Sequence, residues 1–136
     1  MLPPGGLVQP YDPEIAPDRA AWLALDEQER LELAETYHRQ TRIQLPNAKA
    51  HAIFHAIVEN QIAMGLDSVV RAMARLKAGG LTRHDAIHAI GSVLAEHVHE
   101  IFTEEVGDSA NVSQSRYHAA VERLSASEWL RMYGPE

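Results

Sequence analysis

One phrase occurs twice in this chain and decides how it is read: His51-Ala-Ile-Phe-His55-Ala-Ile-Val and, further on, His84-Asp-Ala-Ile-His88-Ala-Ile-Gly. Both phrases alternate Ala and Ile with a polar residue every fourth position, the period of a helix with one apolar stripe and one polar edge. Residues i and i+4 of a helix stand about 40° apart around the axis and about 6 Å along it. His51 and His55 therefore share a face, as do His84 and His88, and each pair can chelate one ion.

Working outward, Asn47 is a good N-cap for a helix running to about Met64, with Gly65 as its left-handed C-terminal residue. Asp67 then starts a shorter helix with Val69, Val70, Met73 and Leu76 at helical spacing, and Gly79-Gly80 ends it. Thr82 with Asp85 reads as a capping pair for the longest helix, which extends to about Glu105 before Gly107. Its apolar stripe is Ile87, Ile90, Leu94, Val98, Ile101 and Phe102. Upstream, Asp18 opens a short helical stretch around Trp22, and Asp26 with Glu29 forms a capping box for a helix that buries Leu31, Leu33, Ala34 and Tyr37. Downstream, Ser113 or Ser115 starts a helix through Leu124 with Tyr117, Ala120 and Val121 on one side. Ser125 with Glu128 caps a last short helix holding Trp129, Leu130 and Met132.

No stretch alternates convincingly enough for a strand, so the expected fold is all-α, a compact bundle of five to seven helices. Five of the seven prolines (Pro3, Pro4, Pro10, Pro13, Pro17) fall in residues 1–17. Those residues are expected to form a Pro/Gly-rich arm, loose or anchored by Leu7, Val8, Tyr11 and Ile15, ahead of a single helical domain over 18–136.

Composition narrows the function. A net charge of -7 opposes binding to nucleic acid, because no excess of Lys and Arg is present to displace counterions from phosphates. No apolar run approaches a membrane span, and the start lacks the basic and apolar regions of a signal peptide, so a soluble cytoplasmic protein is expected. With no cysteine, any metal must sit on imidazole and carboxylate. Random placement of eight histidines in this length would give about 0.5 i,i+4 pairs; the sequence has two.

The candidate metal ligands are His51, His55, Glu59, His84 and His88, and the expected cofactor is a divalent transition metal, Zn, Ni, Fe or Cu. On helical projections the two His pairs lie on the same flank of their apolar stripes, so two facing helices would bring four imidazoles together. Glu59 lies about 12 Å along the helix from His51, which suits a group orienting an imidazole, or a second metal shared with His55. In a metal-dependent enzyme it would be the general base. Asp85 is expected to cap its helix, and His38, His97 and His118 to be solvated or core-edge residues. The contrasting reading is a metal-free structural or interaction module, its histidines hydrogen bonded internally and an exposed stripe forming a homodimer face. Neither reading specifies a reaction or a small-molecule substrate.

The run from His51 through Glu59 to Gln61, the short helix with Arg75-Leu76, and Gly80-Leu-Thr-Arg83-His84-Asp85-Ala86-Ile-His88 together resemble a family of small bacterial helical proteins of unknown function. That family carries H-x3-H-x3-E-Q followed by H-[DE]-A-x2-H. The resemblance covers about Asn47 to Phe102, with weaker similarity at Trp22, Asp26-Glu27, Arg30 and Tyr37-His38. It implies a helical core with these His and Glu positions as a joint site, and it implies no activity. The doublet His84-Asp85 also resembles that of HD phosphohydrolases, but here it opens a helix after Gly-Gly-Leu-Thr-Arg and no clear downstream Asp completes the set.

Overall fold

The structure is a computed structural model, and it describes residues 11–40, 48–103 and 110–133. Among these residues there are seven α-helices and no strand, so the chain is all-α as expected: α1 Arg19–Ala24, α2 Glu27–Gln40, α3 Ala48–Ala63, α4 Asp67–Ala78, α5 Arg83–Thr103, α6 Ala110–Arg123 and α7 Ala126–Tyr133. Internal packing divides the chain into two compact units, Met1–Leu66 and Asp67–Glu136.

In the first unit α3 packs against α1 and α2. Asp18 caps α1 by accepting from Ala21 N at 2.9 Å. Asp26 and Glu29 form the expected reciprocal box at the start of α2, with Glu29 N donating to Asp26 Oδ1 at 2.8 Å and Asp26 N to Glu29 Oε1 at 3.1 Å. Tyr11, Trp22, Leu33 and Ala63 form the buried cluster, joined by Leu25 and Tyr37. Arg30 ties it off from the rim: its guanidinium donates to the carbonyls of Trp22 at 3.1 Å, Leu23 at 2.9 Å and Leu25 at 2.8 Å, satisfying backbone acceptors that the end of α1 leaves over. Gly65 at φ +72° closes α3, Leu66 N reaching back to Gln61 O and Gly65 N to Ile62 O, both at 3.0 Å.

In the second unit α4 packs against α5, α6 and α7, and α5 against α6. Val69, Ala72, Met73 and Leu76 of α4 are buried, as are Ile87, Ile90 and Leu94 of α5 and Tyr117 and Val121 of α6. Thr82 Oγ1 accepts from Asp85 N at 3.1 Å, and Ser125 Oγ accepts from Glu128 N at 3.2 Å, so both expected caps form. Gly79 sits where a Cβ would lie 2.6 Å from Ala126 Cβ, which lets the end of α4 meet the start of α7.

Three expectations change. α6 begins at Ala110, ahead of Ser113 and Ser115; Ser113 lies inside the helix, and its hydroxyl bonds His97 Nε2 at 3.3 Å. Ile101, assigned to the apolar stripe of α5, is exposed. Of the arm anchors, Tyr11 is buried and Ile15 is exposed; Leu7 and Val8, the Asn47 cap, and Glu105 and Gly107 lie outside the described residues. No helix among the described residues is long and apolar enough to cross a membrane.

Candidate metal centre

The first unit gathers three imidazoles. α3 carries His51 and His55, whose ring centres are 5.9 Å apart. α2 adds His38, edge-on to both, at 4.6 Å from His51 and 5.1 Å from His55. Bonds of about 2.0–2.1 Å to a tetrahedral ion hold imidazole centres roughly 5 Å apart, a spacing that His38 and His55 match, whereas His51 is a ring neighbour whose nitrogens fall outside the group of ligand atoms that lie close together. One ring nitrogen of His38 and one of His55 already lie within 4.8 Å of each other.

Hydrogen bonds set which nitrogen of two of these rings carries the lone pair. His38 Nδ1 is 2.7 Å from the Ala34 carbonyl on the preceding turn. A carbonyl only accepts, so Nδ1 holds the proton and Nε2 the lone pair. At His55 the logic runs through Tyr11, whose hydroxyl donates to Glu59 Oε2 and lies 3.0 Å from His55 Nδ1. Its single hydrogen is committed to the carboxylate, so it accepts from His55, and Nδ1 again holds the proton. Both rings thus present Nε2, and a carboxylate stands behind one of them, the arrangement that orients metal-binding histidines and raises their basicity.

Burial adds to this. His38, His55 and Glu59 are 4%, 2% and 1% exposed. Burial lowers the pKa of His38 below its usual 6.5, with the Ala34 hydrogen bond acting against it, and the neutral ring is the form that ligates. Beside the cluster, burial and then the Asp12 and Glu14 carboxylates raise the Tyr37 phenol above its usual value.

In the second unit α5 brings His84 and His88 together, ring centres 4.2 Å apart and one nitrogen of each within 4.8 Å of the other. Both are half-buried. Asp85 takes the expected place in the cap. His97 stacks near Tyr117 at 5.3 Å, and His118 bonds Ser68 Oγ at 2.7 Å, so these two have structural partners. His99 is exposed.

The five residues picked out by spacing are thus divided between the units, His51, His55 and Glu59 in the first and His84 and His88 in the second. Two participants were not singled out by spacing. Tyr11 was expected only as an arm anchor, and no periodicity ties it to α3. His38, by sequence a solvated or core-edge residue, is buried; its place beside Tyr37 in the weaker part of the family resemblance is the one pointer to it. Compared with family profiles, curated proteins and solved structures, the chain matches none.

Proposed function

We propose that the protein binds divalent transition metal at its paired histidines, at the α3 pair with His38 joining it and Glu59 acting through Tyr11 on His55, and at the α5 pair. The observation that carries this reading is the geometry of His38 and His55: two buried rings, each with Nδ1 held by a hydrogen bond, that bring one nitrogen each within 4.8 Å of the other. An imidazole-rich donor set suits Zn, Ni, Cu or Fe. Glu59 is an orienting carboxylate in this reading, since its Oε2 accepts from Tyr11.

Elemental analysis of protein purified without an affinity tag tests it. Stoichiometric metal that is lost in a His51/His84 double alanine variant and in His55→Ala supports the proposal. A metal-free protein that folds normally, and takes up none of these ions on titration, overturns it in favour of a structural module held by the same buried hydrogen bonds.

A further inference from the structure

Tyr11 reaches the candidate site from outside the helices. It belongs to the segment that leads into α1, and its ring lies 5.6 Å from Trp22, 6.2 Å from Tyr37 and 5.5 Å from His55. Just after it the chain folds back, Ile15 N donating to Asp12 O at 3.0 Å and Glu14 N to Asp12 Oδ1 at 2.9 Å. Pro13 is fully buried at the turn, while Glu14 and Ile15 face solvent. Tyr11 and Pro13 are therefore the anchors of this segment, and one of them is also the group that accepts the His55 Nδ1 proton.

Resting on the metal reading above, we propose that residues 11–18 form a metal-linked latch, in which docking of Tyr11 and loading of His55 reinforce each other. A cation on Nε2 withdraws electron density from the ring and makes Nδ1–H a stronger donor. The acceptor it strengthens against is the Tyr11 oxygen, whose own hydrogen is held by Glu59. In the other direction, a docked Tyr11 keeps the proton on Nδ1 and the lone pair on Nε2, the form that binds. The two effects are one coupling: whatever factor docking adds to metal affinity, metal adds to docking. Loss of metal loosens the segment and uncovers the aromatic surface of Trp22 and Tyr37.

The test uses the full chain and Zn2+ as the probe. A glutamate-specific protease takes its substrate extended, so cleavage at Glu14–Ile15 requires the turn closed by Ile15 N on Asp12 O and the anchors on either side of it to open; the rate at that bond reads docking, and calorimetry reads Zn2+ affinity. Saturating Zn2+ is expected to slow this cleavage by about tenfold, within the usual range of coupling between sites. Tyr11→Phe keeps the ring in the aromatic cluster and removes only the hydroxyl. It should weaken Zn2+ binding by about 10–100-fold and erase the protection by Zn2+, with thermal unfolding confirming that the variant folds. Wild-type protein that binds Zn2+ with no change in cleavage, or Tyr11→Phe that binds Zn2+ as tightly as wild type, overturns the latch and leaves the metal reading standing. Wild-type protein that binds no Zn2+ overturns the latch together with that reading.

Discussion

Glu59 and His55 sit one helical turn apart on α3, yet they should fail differently. His55→Ala removes a donor atom, whereas Glu59→Gln keeps a side chain that can still accept from Tyr11 and loses only the charge. Metal titration is expected to show occupancy collapsing in the first and affinity falling by about 10–100-fold in the second. Equal, complete loss would make Glu59 itself a ligand. His38 carries a second prediction, for metal-free protein. Its pKa is lowered in the folded state, so the unfolded chain takes up a proton near the ordinary value of 6.5 while the folded chain resists it. Stability is therefore full above pH 6.5 and declines as the pH falls from there toward the folded value, with a limiting slope of about 1.4 kcal/mol per pH unit for one proton. Urea unfolding at a series of pH values should show this slope reduced in His38→Gln; an identical slope would mean that other groups set it.

At the scale of elements, the caps show what local sequence determines. Asp26-x-x-Glu29, Thr82-x-x-Asp85 and Ser125-x-x-Glu128 were legible because a cap is decided by residues three apart, and all three make the expected backbone bonds. Arg30 was not legible as a clamp on the end of α1, since its acceptors, the carbonyls of Trp22, Leu23 and Leu25, turn toward it only when the chain bends between α1 and α2. The exposure of Ile101 was equally hidden, because periodicity gives the face of a helix but not whether a neighbour covers it. Gly79 looked like one half of a helix stop; Gly80, at φ +107°, takes the left-handed position, while Gly79 is needed for close approach to α7. Gly79→Ala would place a methyl 2.6 Å from Ala126 Cβ. Gly→Ala at a position with an ordinary backbone conformation gains about 0.4–1 kcal/mol by restricting the unfolded chain, so the backbone alone predicts a gain. Overpacking of about 1–3 kcal/mol outweighs it. The urea midpoint is expected to fall with little change in slope, and a rise would show that α7 moves aside freely.

Across the whole chain, the site was half legible. The i,i+4 rhythm marks His51, His55, His84 and His88 from the sequence alone, but His38 and Tyr11 join His55 only through folding, Tyr11 from 44 residues away along the chain. No periodic signal spans that distance. The repeated phrase carries a prediction that neither pair can make by itself. If both helices hold metal, His55→Ala in the first unit and His88→Ala in the second should each lower the metal bound per chain. Each should also diminish the stabilisation that metal gives the folded protein. That stabilisation follows mass action, about 2.7 kcal/mol at a free-metal concentration 100 times Kd, so thermal unfolding with and without Zn2+ reads it directly. His118→Ala, which removes a ring bonded to Ser68, should change metal content in neither measurement. If His88→Ala binds metal with wild-type stoichiometry and affinity while His55→Ala does not, the metal belongs to α3 and His38 alone. The second phrase would then be a helix edge with two histidines in ring contact, and the two-helix reading falls.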